Sequence, residues 1–289
     1  MSVARLCLGT AKIGLPWYGL GSVSRPGPDE IVAILQRAQR LGIAWFDTGA
    51  AYGDAEDWLS VAGAPCVVTK LAPGLVREGA FYTRAGADFI EGVMLHNPSV
   101  ADLQDDTLIG MLDDKNSCLE FVGASVYTPE EARAAIAANL GAIQVPYCLL
   151  DRRHEGTMCE AKAAGLKVFT RQPFLQGLLT NRLPPDLFEK TGPTLAAHVL
   201  LFRDRLDTLC AAHGVSRVQA CLWFALDSPA DYVVFGVGSV AHLEEVVGAA
   251  EAYRRGADRW LELGQALLEI ASAIPPIEFG SLWKQEAAT

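Results

Sequence analysis

Several features that define common protein classes are missing from this 289-residue sequence. There is no dense run of lysine and arginine, and the formal net charge is −10, so nucleic acid is not expected as a partner. No uninterrupted apolar stretch reaches the roughly 18 residues of a membrane-spanning helix, so no membrane partner is expected. The N-terminus shows no secretory signal peptide, and the seven cysteines form no C-x-x-C pair. We therefore expect no metal site, no disulfide framework and a cytoplasmic location.

What the sequence does contain is a regular alternation of short β-rich runs with helical patterns. Half of the residues are hydrophobic (51%), enough for a sizeable core. The alternation is typical of βαβ units around a parallel sheet and predicts an α/β fold, a single-domain (β/α)8 TIM barrel spanning residues 1–289. The predicted strands are Arg5–Gly9, Trp45–Asp47, Cys66–Lys70, Val93–His96, Phe121–Ser125, Ala142–Tyr147, Lys167–Thr170 and Tyr232–Gly236.

Three further elements are predicted around this barrel. Two helical patterns, Thr194–His213 and Ser216–Leu226, lie between strands seven and eight, so this unit carries an extra helix. Another helix, Asp258–Ala273, follows the last barrel helix and precedes a tail. The tail's Pro275–Trp283 segment is expected either to fold back toward the barrel mouth or to cover the side of the barrel.

Four ionisable side chains stand at or just past the ends of three consecutive predicted strands. They are Asp47, Tyr52, Lys70 and His96, and the first two belong to the stretch W-F-D-T-G-A-A-Y-G. Taken singly, each has an ordinary structural interpretation, as a helix cap, a packed ring, a solvated cation or a hydrogen-bonded histidine. Together they would face one barrel mouth, where strand-end residues of TIM barrels are catalytic.

These four side chains make a plausible proton-transfer set. A tyrosine has a pKa of about 10, and a neighbouring ammonium stabilises the phenolate and lowers that pKa. An aspartate keeps the lysine charged and in place, and a histidine orients a substrate oxygen. Such a set would exchange a proton with a carbonyl or an alcohol. Because the side chains provide no hydride, a nicotinamide cofactor is implied.

Motifs along nearly the whole chain resemble those of the aldo-keto reductase family. They include D-T-x-x-x-Y-G at Asp47–Gly53, V-V-T-K at Val67–Lys70, M-L-H-N-P at Met94–Pro98, G-A-S-V-Y at Gly123–Tyr127, Q-V-P-Y at Gln144–Tyr147 and F-L-Q-G-L-L at Phe174–Leu179. Two of these motif variants are similar to those of a small bacterial branch linked to sugar or polysaccharide metabolism.

The resemblance implies a role for each matching residue. Tyr52 would be the general acid or base, Lys70 and Asp47 would tune it, and His96 would orient the carbonyl. Ser125 and Gln144 would hold the carboxamide of NADP(H) or NAD(H). The remaining residues implied in cofactor binding are Arg171, Phe174, Leu175, Gln176, Gly177, Gly236, Gly238, Ser239 and His242.

The sequence departs from the family pattern at the phosphate loop and at strand seven. Gly238 and Val246 stand where the family usually has a basic residue and an asparagine, which leaves Ser239, backbone N–H groups and His242 to meet a 2′-phosphate. The sequence therefore does not favour NADP, and it leaves NAD, or weak cofactor binding, as the alternatives. Arg171 replaces a tyrosine that stacks on the nicotinamide; it could stack, hold a substrate anion, or form a salt bridge within the mouth.

Two predictions concern the loops and the assembly. Trp17 and Tyr18, in the long loop Gly14–Gly27, are expected to line the substrate pocket or to pack under the barrel rim. The connection Leu71–Gly92 is short and poor in aliphatic residues, so a partner subunit, in a homodimer, could cover the barrel there.

These observations predict a nicotinamide-dependent oxidoreductase that interconverts a small carbonyl compound, possibly sugar-like, and its alcohol. One alternative keeps the fold but performs an elimination or epimerisation without net redox change. Another is a non-catalytic cofactor-binding subunit.

Overall fold

A computed structural model of the chain describes residues 3–16, 18, 24–79, 90–114, 119–181, 183, 187–255 and 257–274. The described residues form eight parallel strands that close into a barrel in sequence order, with the first strand pairing the last. The strands are β1 Leu6–Gly9, β2 Trp45–Asp47, β3 Cys66–Leu71, β4 Ile90–His96, β5 Phe121–Ser125, β6 Ala142–Pro146, β7 Lys167–Arg171 and β8 Tyr232–Gly236. This is the (β/α)8 barrel that the sequence predicts.

Helices surround the barrel, and their starts carry the expected local signals. Ser99, Thr128 and Ser216 each form a capping box at a helix start. The helices are α1 Ala11–Gly14, α2 Pro28–Arg40, α3 Ala55–Ala62, α4 Pro73–Arg77, α5 Val100–Leu103, α6 Asp106–Asp114, α7 Pro129–Ala137, α8 Glu155–Ala163, α9 Leu187–Thr191, α10 Pro193–His213, α11 Arg217–Leu226, α12 Val240–Arg255 and α13 Ala257–Ser272. No helix in these described ranges is long and apolar enough to cross a membrane.

The hydrophobic core has two parts. The larger part lies between the strands and the surrounding helices, and the smaller part fills the inside of the barrel. Rings of Trp45, Phe121, Phe169 and Tyr232 pack against one another within the smaller part, some stacked and some tilted or edge to face, with centroids 4.8–6.3 Å apart. These rings fill the barrel at the amino-terminal ends of the strands, which we call its lower end. Polar groups lie at the other end, where the strands finish.

The observed elements differ from the sequence predictions mainly at their ends. β4 begins at Ile90 rather than Val93, because Ile90 and Gly92 still pair with β3. The loop predicted at Gly14–Gly27 is preceded by the short helix α1, and the short connection after β3 contains the five-residue helix α4. The tail predicted at Pro275–Trp283 lies outside the described residues, as do residues 80–89 and Trp17.

Candidate active site

The period of two along each strand explains why the polar residues gather at one end of the barrel. Side chains two positions apart point to the same side of a strand. Trp45, Val68 and Met94 are among the residues that pack inside the barrel. Two positions further along, each strand reaches its carboxyl end, and the side chain there also points inward. The polar residues at these positions are Asp47, Lys70, His96, Gln144 and Arg171.

A buried hydrogen-bonded chain centres on Asp47. The Lys70 ammonium, 1% exposed, donates to Asp47 Oδ1 at 2.5 Å and to the Thr48 carbonyl at 2.9 Å. The side-chain amide of Gln144 donates to the same Asp47 oxygen at 2.6 Å, and the Ser125 hydroxyl donates to Gln144 Oε1 at 3.3 Å. The charges of Asp47 and Lys70 thus compensate each other, which makes their burial tolerable.

Tyr52 and His96 face each other above this chain. Their rings meet edge to face with centroids 5.7 Å apart, and Lys70 Nζ lies 5.2 Å from the Tyr52 ring centroid. Burial, with the nearby cations Lys70 and Arg171, lowers the pKa of His96 to about 3. His96 is therefore a neutral imidazole near pH 7, able to donate or accept a hydrogen bond without carrying charge.

The position of Tyr52 depends on a close crossing of two backbone segments. A Cβ at Gly14 would lie 1.7 Å from the Tyr52 carbonyl oxygen, and one at Gly53 would lie 2.6 Å from the Gly14 carbonyl. Gly53 also has φ +58°, a left-handed conformation that favours glycine. These two glycines let α1 press directly against the turn that carries Tyr52.

A cavity of about 360 Å³ opens above the strand ends and continues toward the start of α12. Asp47, Tyr52, Gln144 and Arg171 line it at the end beside the strands, the candidate catalytic end. Of the other predicted site residues, Tyr18, Phe174, Gln176, Gly177, Gly236, Gly238 and His242 also line the cavity. Sequence reasoning missed further lining residues, above all Lys12, Thr180, Asn181 and Glu245.

Arg171 is held at the cavity wall by neutral partners. Its guanidinium lies 4.2 Å from the centroid of the Tyr127 ring and donates to the Val126 carbonyl at 3.2 Å. Within the described part of the chain, no carboxylate forms a salt bridge with it. Of the three interpretations of Arg171, the salt bridge within the mouth is therefore not seen among these residues.

The loop after β7 has an unusual backbone and an unsatisfied amide. Gln172, Leu175 and Gln176 adopt positive φ angles of 65°, 47° and 53°. Both polar atoms of the Gln176 side-chain amide are buried without a hydrogen-bond partner among the described residues. A buried amide left unpaired is costly, so an amide at the wall of a cavity marks a place where a polar ligand would bind.

Arginines from two helices fix this loop from behind. Arg203 of α10 donates to the Leu178 carbonyl at 2.5 Å and to the Thr180 carbonyl. Arg217 of α11 donates to the same Thr180 carbonyl at 2.9 Å. Burial lowers the pKa of Arg203 to about 10, so the guanidinium remains charged near pH 7. The additional helices between β7 and β8 thus have a direct role in shaping the cavity.

At the far end of the cavity, a lysine of α1 lies beside the glycine of the phosphate loop. A Cβ at Gly238 would lie 3.0 Å from Lys12 Cε and 3.2 Å from Lys12 Nζ. Lys12 follows β1 by three residues and lines the cavity with Gly238 and His242. The predicted barrel implies that strands one and eight are neighbours, but the sequence did not show that Lys12 contacts Gly238.

The cavity residues fit a nicotinamide dinucleotide. The unpaired Gln176 amide offers hydrogen bonds to ribose or phosphate oxygens, and Lys12 offers a cation. Gly236 and Gly238 leave room for a ligand at the loop before α12. The catalytic end provides Ser125 and Gln144 side by side, as expected for carboxamide binding.

Comparison with known proteins agrees with the fold and with these motifs. The model of the aldo/keto reductase family matches residues 90–260. This chain belongs to the aldo/keto reductase family, and it is an NAD(P)H-dependent oxidoreductase like the enzymes of that family.

Individual relatives are distant but similar over most of their length. "Aldo-keto reductase str7" of Strobilurus tenacellus is 26% identical over 293 residues, covering 84% of this chain and 87% of the relative. The aldo-keto reductase AKR11C1 from Bacillus halodurans, in its holo form, superimposes with a TM-score of 0.71 and 21% identity, over 91% of each chain. The glycerol dehydrogenase AKR11B4 from Gluconobacter oxydans gives a TM-score of 0.72 at 21% identity, over 95% of this chain and 93% of the other.

Proposed function

We propose that Tyr52 is the general acid of a reaction that reduces a small, sugar-like carbonyl compound to its alcohol, and the general base of the reverse reaction. The observation that carries this proposal is that Tyr52, which lines the cavity, lies beside both His96 and Lys70. Nicotinamide, when bound, supplies the hydride. The protein then has to place the carbonyl, deliver a proton to its oxygen and keep water away.

Each member of the set has a separate task in this proposal. Tyr52 donates its phenolic proton to the oxygen on which negative charge develops. The Lys70 ammonium, 5.2 Å from the Tyr52 ring centroid, stabilises the phenolate that remains. Asp47 holds Lys70 in position at 2.5 Å. His96, neutral because its pKa is about 3, donates a hydrogen bond that orients the carbonyl without competing for the proton.

The supporting residues of the cofactor site follow from the same arrangement. Ser125 and Gln144 hold the carboxamide, and the β7 loop, with Phe174, Leu175, Gln176 and Gly177, holds the middle of the dinucleotide. Gly236, Gly238, Ser239 and His242 lie toward its adenosine half. Arg171, at the cavity wall, stacks on the nicotinamide or holds an anionic group of the substrate; its contact with the Tyr127 ring supports the stacking geometry.

A hydroxylated substrate is supported by the polar character of the catalytic end, where Tyr18, Arg171 and Gln172 line the cavity. The name of the Gluconobacter relative, a glycerol dehydrogenase, describes an enzyme that acts on a polyol.

The proposal is tested by cofactor oxidation with matched pairs of carbonyl compounds. Purified enzyme is mixed with NADH or NADPH and with glyceraldehyde against propanal, dihydroxyacetone against acetone, and an aldose against its deoxy analogue. We expect oxidation of the cofactor, with kcat/KM at least about tenfold higher for each hydroxylated member, because its hydroxyls can hydrogen-bond the polar groups at this end of the cavity.

The alternatives give different results in the same assay. Conversion of a sugar with no net change in cofactor absorbance would favour an elimination or epimerisation. Tight cofactor binding with no conversion of any compound would favour a binding subunit. Failure to bind either dinucleotide would contradict the proposed function altogether.

A further inference from the structure

The two ends of the cavity differ chemically, so a dinucleotide can bind in only one orientation. The nicotinamide has to lie beside Tyr52 and Gln144, so the adenosine half of a dinucleotide extends along the β7 loop toward α12. NAD and NADP differ only there, by a 2′-phosphate on the adenosine ribose. A dianionic phosphate needs N–H donors or cations at this end.

We infer that this enzyme selects NAD(H) over NADP(H), because the Glu30 carboxylate occupies the helix start that a 2′-phosphate would need. Glu30 lies in the first turn of α2, and its Oε1 accepts a hydrogen bond from the Val240 N–H at 2.8 Å. Val240 is the first residue of α12. This inference rests on the proposed function, since it concerns the cofactor of the same site.

The N–H groups at the α12 start are largely used by the protein itself. The first turn of a helix has N–H groups without intrahelical acceptors, and these groups with the helix dipole normally attract anions. Here the Val240 N–H binds Glu30, and the His242 N–H binds the Ser239 hydroxyl at 3.3 Å. A carboxylate already supplies the negative charge that this helix end stabilises. A second anion at the same place would be repelled.

Other charged groups around the start of α12 also disfavour a 2′-phosphate there. Glu245, exposed and in the first turns of α12, lines the cavity, and it adds a second carboxylate near the adenosine end. Glu244 is paired with Arg37 at 2.8 Å, so Arg37 is engaged away from the cavity. Lys12 is a cation that lines the cavity at this end.

Lys12 is placed for the part of the cofactor that both dinucleotides share. Its ammonium lies over Gly238, in the loop before α12, and it lines the same cavity as the β7 loop that carries the unpaired Gln176 amide. A cation in this cavity is suited to the pyrophosphate bridge. Lys12 therefore contributes to affinity for both cofactors, and Glu30 to the choice between them.

The test measures binding, so it does not depend on turnover. Dissociation constants of NADH and NADPH are obtained from nicotinamide fluorescence, and those of ADP and adenosine 2′,5′-bisphosphate by calorimetry. The wild type is expected to bind NADH at least about tenfold more tightly than NADPH. Glu30→Gln keeps a hydrogen-bond acceptor for the Val240 N–H but removes the charge. In this variant, the dissociation constants of NADPH and the bisphosphate should fall by about five- to tenfold. Those of NADH and ADP should stay within about twofold of the wild-type values.

Two further variants make the result specific. Asp29→Asn removes an equal charge from the neighbouring exposed position of α2 and should leave the NADH-to-NADPH ratio unchanged. Lys12→Met should weaken both dinucleotides by the same factor. The thermal midpoint of each variant reports whether it is folded.

Three results would overturn the inference. They are tighter binding of NADPH than NADH by the wild type, an unchanged ratio in Glu30→Gln, and a Lys12→Met variant that loses affinity for NADPH alone. No binding of either dinucleotide would overturn the proposed function as well, whereas a preference for NADPH would overturn only the selectivity argued here.

Discussion

Asp47 has two buried donors on one oxygen, and this explains why an acid stands at the end of a short strand. Lys70 and Gln144 both donate to Oδ1, at 2.5 and 2.6 Å. A single carboxylate therefore fixes the cation beside Tyr52 and the amide that would bind the carboxamide. Breaking a buried ion pair from one side leaves an uncompensated charge, so the three residues are expected to act together.

Burial lowers the pKa of both His96 and His154, so these two histidines are neutral near pH 7. His154 is fully buried; its Nε2 lies 3.0 Å from the Tyr127 carbonyl and its Nδ1 3.1 Å from the Thr157 hydroxyl. Burial lowers its pKa from 6.5 to about 4. Between these values the unfolded chain binds a proton that the folded chain does not. The free energy of unfolding therefore decreases as the pH falls from 6.5 to 4.

Replacing His154 should remove its share of this pH dependence. His154→Gln retains an N–H donor for the Tyr127 carbonyl but cannot be protonated in this range. We expect its free energy of unfolding, measured by urea titration, to fall less steeply with acid than that of the wild type. The difference in slope can reach about 1.4 kcal/mol per pH unit, the value for one proton. Equal slopes for the two proteins between pH 6.5 and 4 would contradict the buried neutral histidine.

At the scale of elements, α1 and the turn after β2 meet without side chains between them. Gly14→Ala would place a methyl group 1.7 Å from the Tyr52 carbonyl oxygen, so one backbone segment has to move. We expect a loss of stability of about 1–3 kcal/mol or more, and a lower kcat because Tyr52 is displaced. Denaturant titration and steady-state kinetics measure these two effects.

Gly110→Ala provides the matched control for this prediction. Gly110 lies within α6, and a Cβ there would meet no atom within 4 Å. Alanine is favoured over glycine in a helix by up to about 1 kcal/mol, so this variant should be as stable as the wild type or more stable, with unchanged kcat. If Gly14→Ala behaved like Gly110→Ala, the close crossing would not position Tyr52.

The strands and their polar ends could be predicted because the information is local. Runs such as Cys66–Leu71 are apolar on both faces, as expected for a buried parallel strand, and the lysine within that run stands out. The period of two then aligns Asp47, Lys70 and His96 on the inner face once the barrel is assumed. Strand ends were less accurate, since β4 gains its first residues only by pairing with β3.

The far end of the cavity could not be predicted in this way. The hydrogen bond between Glu30 and Val240 joins residues 210 positions apart, and Lys12 reaches Gly238 from α1, the helix after β1. Both depend on how the barrel closes and how α2 packs against α12. The sequence shows that the loop's own cation is missing, but not that Lys12 lies over Gly238 or that Glu30 binds the start of α12.

At the scale of the whole molecule, the packed aromatic residues and the ionisable residues lie at opposite ends of the barrel. An aromatic cluster fills its lower end, and the ionisable residues gather at the carboxyl ends of the strands. We infer that the chain forms one domain, since the described helices all pack around this barrel. The homodimer, suggested by the short connection after β3, stays a prediction, as does the pocket role of Trp17.

The catalytic role of Tyr52 is tested most directly by separating cofactor binding from hydride transfer. Tyr52→Phe is compared with the wild type by nicotinamide fluorescence and by stopped-flow single turnovers with the carbonyl compound that the wild type reduces fastest. Tyr232→Phe, in the aromatic cluster at the lower end of the barrel, is the control. The account predicts a dissociation constant within about twofold of the wild type and a transfer rate lower by about 10²–10⁴ for Tyr52→Phe alone. A transfer rate within tenfold of the wild type in Tyr52→Phe would contradict its role as the general acid.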